Sequence, residues 1–169
     1  GLRVILVDAN RGQGDIRKFA RLVTAQLPSI YDAAISGDPT RALITRDQLN
    51  TARHSSLSKL NFGIVQAPPQ DLADPTVVTH EVYREVIEYA RTIADLVVVD
   101  TQIIEGSDTS GLIDYLIIPL LRDGGWAFAV TDFTSPGVDN TIEVSKSFVD
   151  AGVPKDRILS VINDNKSTN

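Results

Sequence analysis

Four apolar, β-like runs in this chain each end in a polar side chain able to meet a metal ion, a phosphate or a base. They are Val4-Ile5-Leu6-Val7-Asp8, Leu96-Val97-Val98-Val99-Asp100, Ala127-Phe128-Ala129-Val130-Thr131-Asp132 and Ile158-Leu159-Ser160-Val161-Ile162-Asn163. A carboxylate at the tip of a buried strand is partly desolvated and can hold Mg²⁺, or a metal-bound water, beside a phosphate. Asp8 and Asp100 form the strongest pair for that chemistry. Each alone reads equally well as a cap on the following turn, but in one parallel sheet the topology brings both to the same edge. The Asn163 amide either reads a base or bonds backbone in the loop after its strand. Gly12, Gln13 and Gly14 either turn backbone N–H groups toward an anion or only supply the positive φ of a turn. His54 and His80 stand too far apart in the sequence to suggest a metal site or a catalytic base and are expected at the surface, and no serine sits in a nucleophile elbow.

Near-continuous apolar runs suggest strands buried on both faces, as in a parallel sheet with helices on either side. In such sheets ligands bind at the carboxyl edge, so Asp8, Asp100, Asp132 and Asn163 are expected to line one crevice. A helix with Asp15 as N-cap and a stripe of Ile16, Phe19, Ala20, Leu22 and Val23 is predicted to run to Leu27, where Pro28 ends it. Residues 36–59 are irregular, with weak helical stretches at 40–44 and 47–53. A short strand follows at Phe62–Gln66, closed by Ala67-Pro68-Pro69. Thr79 opens a clear helix with Val82, Val86, Ile87, Ala90 and Ile93 on one face. A further helix over 112–121 turns Ile113, Leu116, Ile117 and Leu120 inward, with Pro119 bending or ending it. Trp126 reads as core or interface. Ser135-Pro136 gives an N-cap with proline at the first helical position, and Gly152 a stop. Strands and helices alternate, so the fold class is α/β, a mostly parallel twisted sheet with helices on both faces, in a single domain over residues 1–169.

The 169 residues, 43% hydrophobic, are enough for one well-buried domain. A net charge of −6 and a pI near 4.8 argue against a strongly basic nucleic-acid module. The absence of cysteine excludes disulfides, zinc-thiolate sites and thiol nucleophiles, and fits a reducing, cytoplasmic setting. No apolar stretch approaches the roughly 20 residues that span a bilayer. Methionine is absent even from position 1, and the chain enters a strand almost at once, so an N-terminal piece is expected to be missing.

The order of these pieces resembles the ParA/MinD family of P-loop ATPases (SIMIBI class) over about residues 2–165. Val4–Asp8 with Ala9-Asn10-Arg11-Gly12-Gln13-Gly14-Asp15 resembles its second strand and the Asp-x-Asp motif that follows. Phe62–Pro69 is similar to its strand and Ala-Pro stretch, Leu96–Asp100 to its Walker B strand, and Val130-Thr131-Asp132 before a Ser-Pro helix to its next strand and loop. Val161-Ile162-Asn163 resembles the strand whose Asn contacts adenine. Gly14-Asp15 and the Ala-Pro pair are closest in flavour to the CpaE/TadZ-like pilus-assembly and polarity branch. The resemblance implies a P-loop NTPase-like three-layer sandwich that binds ATP and Mg²⁺, forms a homodimer, and hydrolyses ATP slowly to position a cargo such as plasmid, chromosome, septum or pilus machinery. It puts Asp8 and Asp100 at the Mg²⁺, with Asp8 at the attacking water and Asp100 as the Walker B carboxylate. Asn163 would face the base, Thr131 and Asp132 would flank the nucleotide, and Asn10 and Gly12 would belong to the acidic-motif loop.

Three departures from that pattern stand out. Asn10 replaces the second acid of Asp-x-Asp, and Thr101-Gln102-Ile103-Ile104 replaces the Pro- and Gly-containing switch after the Walker B carboxylate. The Gly-Lys phosphate loop, expected in a strand–loop–helix unit upstream of Gly1, is absent from the sequence, and without it the chain should bind ATP poorly or not at all. Two rivals follow. One is a degenerate, non-hydrolysing scaffold of the same fold. The other is a flavodoxin-like or receiver-type domain, which Asp8-Ala9-Asn10 and Asn163-Asp164-Asn165 fit poorly because a receiver pairs acids after the first strand and carries a lysine after the last.

Overall fold

A computed structural model of the chain describes residues 1–11, 13–22, 26–101, 111–132 and 134–163. The chain divides into two compact units, Gly1–Ile103 and Ile104–Asn169.

The first unit is built on a four-stranded sheet of β1 (Val4–Asp8), β2 (Leu43–Ile44), β3 (Gly63–Val65) and β4 (Leu96–Asp100), in the order β2-β3-β1-β4. β1 runs parallel to both neighbours, and β2 adds an antiparallel edge to β3. β1 and β4 stay in register from Val4 opposite Leu96 to Asp8 opposite Asp100. Arg3 and Asp95 clamp the other end of that pair, with Nη2 2.8 Å from Oδ1. Hydrogen bonds from Arg3 draw the Asp95 carboxyl down to about 2.

Helices α1 (Asp15–Phe19), α2 (Ile30–Ser36), α3 (Arg46–Ala52) and α4 (His80–Ile93) complete this unit. Ile16, Ala20, Leu22 and Leu49 close over Ile44 and Ile64, with Leu6 packed against them. Each large aliphatic side chain so buried contributes about 1.5–3 kcal/mol relative to exposure. α4 forms as its sequence predicts: the Thr79 hydroxyl accepts from the Val82 N–H, and Val86, Ile87 and Ala90 are buried. The fourth fully buried member of its stripe is Tyr83, while Val82 and Ile93 are only half-buried.

α3 fulfils the weak helical stretch expected at 47–53, α2 forms where no helix is expected, and both open on reciprocal caps. Ser29 and Asp32 cap α2, and Thr45 and Gln48 cap α3, each side chain serving the other's backbone N–H. The helix predicted to reach Leu27 is instead five residues long and is capped by Gly14 in the left-handed region rather than by Asp15. Arg21, with φ 59°, reverses the chain directly after it. That reversal carries Leu22 into the core and leaves Phe19, expected inside, 83% exposed. Val23 lies outside the described residues.

The second unit contains a π-helical turn at Ile113–Ile117 that continues into α5 (Ile118–Arg122), then β5 (Ala127–Thr131), α6 (Ser135–Asp150) and β6 (Ile158–Ile162). β5 and β6 are parallel and in register from Ala127–Ile158 to Thr131–Ile162, with α6 as the crossover packed on β5. Pro119 neither ends nor breaks its helix. The wider π turn before it relieves the missing N–H and advances the helix face by one residue, so Leu121 is buried where Leu120 was expected. The N-cap of α6 is Thr134, whose hydroxyl accepts from the Gly137 N–H, and Ser135-Pro136 occupy the first two helical positions.

The expectation of strands buried on both faces holds for β1 and β3 only. β4, β5 and β6 each expose apolar residues; Phe128 and Val130 are 63% and 65% exposed. Trp126, expected as core or interface, is 57% exposed. Among the described residues no helix is long and apolar enough to cross a membrane.

Candidate functional site

The register of β1 and β4 delivers Asp8 and Asp100 side by side at the carboxyl edge of the sheet. Residues opposite one another on parallel strands point to the same face, and neighbouring strands lie about 4.8 Å apart. The two carboxyl groups are therefore within reach of one small cation. The Ala9 N–H donates to the Asp100 carbonyl at 2.8 Å, so the pairing runs one residue past the strand and holds the loop over the edge.

Asp8 is 1% exposed. Burial pushes its carboxyl up to about 6; the backbone N–H groups of Asn10 and Ile16 pull the other way, and the charges of Asp100 and Asp15 push it further up. Its Oδ1 accepts from the Asn10 N–H at 3.1 Å, and its Oδ2 has no hydrogen-bond partner. Asp100 is exposed, and its carboxyl is also raised, first by partial desolvation and then by the charge of Asp15. A buried carboxylate oxygen without a partner, beside a second carboxylate and a third acid, is an environment that a divalent cation would relieve. Among the described residues no three His, Cys, Asp or Glu side chains group as a metal cage. The donor set is hard oxygen, two carboxylates at most, with the remaining positions left to water or phosphate. That fits Mg²⁺, which keeps several waters and binds through one or two carboxylates plus substrate oxygens.

Asn10 serves its own loop. Its Nδ2 donates to Gln13 Oε1 at 3.2 Å, and its carbonyl accepts from the N–H groups of Gln13 and Gly14. Gly12 lies outside the described residues, as do Gln102, Ile103 and Ile104 of the substituted switch and the tail 164–169.

In the second unit, Thr131, Asp132 and Asn163 share the carboxyl edge of the β5–β6 pair, where the Asn163 N–H donates to the Thr131 carbonyl at 2.7 Å. The Asn163 side chain is exposed. Asp132 is exposed too, and its Oδ1 accepts from the backbone N–H and the hydroxyl of Thr134, which lowers its carboxyl from the ordinary value. Gly137 is required beside this turn, because a Cβ there would collide with Asp132 Oδ1 and stand 2.9 Å from Thr131 Oγ1. Each unit thus brings its own strand-end residues together: Asp8 with Asp100 in the first, Thr131 and Asp132 with Asn163 in the second.

Arg11, Gln66 and Tyr83 are three buried polar residues at or near the Asp8 edge that the sequence reading passed over. A signal existed for Gln66, which ends an apolar run as Asp8 and Asp100 do. Tyr83 was hidden in an apolar helical stripe, and Arg11 in a polar turn.

No family model and no curated protein matches the sequence. Solved structures do match its fold. A MinD cell-division ATPase from Pyrococcus furiosus superposes with a TM-score of 0.68 at 14% identity, over 100% of this chain and 62% of its own. The chain has the ParA/MinD fold. The septum site-determining protein MinD from Pyrococcus horikoshii OT3, solved with Mg-ADP, gives 0.67 at 15% identity, over 98% of this chain and 59% of its own. A ParA family ATPase from Chlorobium tepidum TLS gives 0.63 at 17% identity, over 96% and 61%. The chain spans about three-fifths of the length of these ParA/MinD structures. The fold agrees with the P-loop NTPase-like α/β architecture.

Proposed function

We propose that this chain is the body of a ParA/MinD-like ATPase, in which Asp8 and Asp100 hold Mg²⁺ at the phosphate end of an ATP site. The observation that carries this reading is the in-register pair of strand-end carboxylates, one of them buried with an unpartnered oxygen. It is supported by a structural neighbour solved with Mg-ADP. Bound Mg²⁺ would neutralise charge developing on the phosphates. Asp8, raised and held by the Asn10 N–H, would orient a water, and Asp100 would complete the oxygen set. Asn163 would meet the base, while Thr131 and Asp132 flank the nucleotide, and Asn10 and Gly12 shape the loop. Among the described residues β4 pairs with β1 alone, and a further parallel strand on its other side would deliver its following loop beside the two carboxylates. That is where a phosphate loop belongs in this reading.

The full-length protein would dimerise in the cytoplasm with nucleotide bound and hydrolyse ATP slowly to position cargo, in the manner of the partition or CpaE/TadZ-like pilus-assembly branch. A neighbour solved as a MinC:MinD complex from Aquifex aeolicus supports the idea of a protein partner. A second reading, a non-hydrolysing scaffold, is favoured by one observation: the uncharged Asn10 side chain is committed to Gln13. Steady-state ATP turnover of the full-length protein separates the two. Turnover abolished by Asp8→Ala supports the ATPase, whereas turnover that is absent from the start, or unchanged by Asp8→Ala, moves the assignment to the scaffold.

A further inference from the structure

The interior next to Asp8 holds two polar side chains that the metal site does not use. Asp8, Gln66 and Tyr83 are 1%, 2% and 0% exposed. Asp8 Oδ2, Gln66 Nε2 and the Tyr83 hydroxyl have no hydrogen-bond partner in the protein. Buried polar atoms are seldom left so, because each forfeits its hydration without return. Register brings the first two together: Val7 lies opposite Val65, so the next residues, Asp8 and Gln66, are neighbours at the sheet edge. The Gln66 carbonyl accepts from the Ile30 N–H at 2.9 Å, which pins the backbone there to the start of α2. Tyr83 arrives from α4, which packs on the same α2 and on β4 beside β1, and the Asp8 and Arg11 charges bear on its hydroxyl.

The three atoms are chemically complementary to a single molecule. A carboxylate oxygen accepts, an amide nitrogen donates, and a phenol does either. A water with two donors and two acceptor sites satisfies all three, and buried waters typically make about three such bonds. We propose that one internal water bridges Asp8 Oδ2, Gln66 Nε2 and the Tyr83 hydroxyl, and that Tyr83 and Gln66 are thereby positioning residues for Asp8. The water holds the carboxylate from the protein side while the Asn10 N–H holds Oδ1, so that the remaining lone pairs face the cation. The positioning role rests on Asp8 as a metal ligand; the water itself does not.

A high-resolution crystal structure of the whole chain without metal should show a water within hydrogen-bond distance of all three atoms. Its absence, or a direct protein partner for the Tyr83 hydroxyl, overturns the inference. Thermal melting of Tyr83→Phe gives an independent readout. Removing an unsatisfied hydroxyl would leave the melting temperature unchanged or raise it, and either result counts against the bridge; removing a bridged one lowers it. Mg²⁺ alone, titrated while following the Asn10 amide by NMR, should bind about tenfold more weakly to Tyr83→Phe, and more weakly to Gln66→Leu. Unchanged affinity in both variants overturns the positioning role. A wild-type chain that holds the water but gives no Mg²⁺ response at Asn10 sinks the metal assignment and the positioning role, and leaves the internal water standing.

Discussion

Asp8 follows the apolar run of β1 and Asp132 follows that of β5, each at the carboxyl end of a parallel strand, yet their surroundings set them to opposite tasks. Asp8 is enclosed, carries an oxygen without a partner, and has its carboxyl raised to about 6 by burial. Asp132 lies in solvent, has its carboxyl lowered by Thr134, and spends its hydrogen bonds on the turn that starts α6. The same contrast separates the inner strands of the first sheet from the β5–β6 pair. β1 and β3 are closed in by helices, whereas β5 and β6 leave Phe128, Val130, Leu159 and Val161 open on one side. A strand-end carboxylate becomes a candidate ligand for a metal when the protein removes its water and does not replace it. Where a neighbouring hydroxyl and N–H satisfy it, it is a structural cap.

The widest gap between β3 and β5 should appear in side-chain truncation. Ile64→Ala, in the sealed cluster of the first unit, is expected to cost about 4 kcal/mol in urea unfolding. Val130→Ala, on the open face of β5, should change stability by no more than about 0.5 kcal/mol. Comparable losses at both positions would erase the distinction.

Asp8→Asn should do the unusual thing for a buried aspartate and stabilise the fold. The folded carboxyl, at about 6, sits above the ordinary 3.8, so ionised Asp8 opposes folding. That penalty is absent below about pH 4, grows between about pH 4 and 6, and is complete above about 6. Each pKa unit is about 1.4 kcal/mol, so the variant should gain up to about 3 kcal/mol at pH 7.5 and almost nothing at pH 4. Unfolding curves at the two pH values check this, and a loss at pH 7.5 would mean that Asp8 is a structural cap like Asp132. Under the proposed function, the same substitution in the full-length protein removes ATP turnover.

Gly137→Ala should strain the turn that Asp132 and Thr131 make against α6, at about 2 kcal/mol in the same assay. A neutral result would show that the turn gives way easily. Thr134→Ala should remove the α6 N-cap at about 1 kcal/mol. It should also let the Asp132 carboxyl rise toward its ordinary value in an NMR titration, with no effect on Asp8.

The strand positions, the Thr79 helix and the strand-end placement of Asp8 and Asp100 were legible because each is written in local pattern. An apolar run of the right length, a capping hydroxyl and a polar residue at the end are all readable one segment at a time. α1 was misread because the left-handed Arg21 breaks a pattern that hydrophobic spacing alone would continue. Leu120 was exchanged for Leu121 because one π turn shifts the period of the face. The caps of α2 and α3 were present as Ser29-Ile30-Tyr31-Asp32 and Thr45-Arg46-Asp47-Gln48, but weak apolar periodicity masked them.

The sequence by itself determined the α/β alternation, the identity of the strand-end groups and the lack of a Gly-Lys phosphate loop within these residues. Chain order and side-chain type carry those features directly. Only the tertiary structure decided that Asp8 is sealed while Asp132 is solvated, and that Gln66 and Tyr83 lie in the interior with Asp8. Burial and register join residues more than 50 positions apart, and no local pattern records which side of a strand end the rest of the protein will cover.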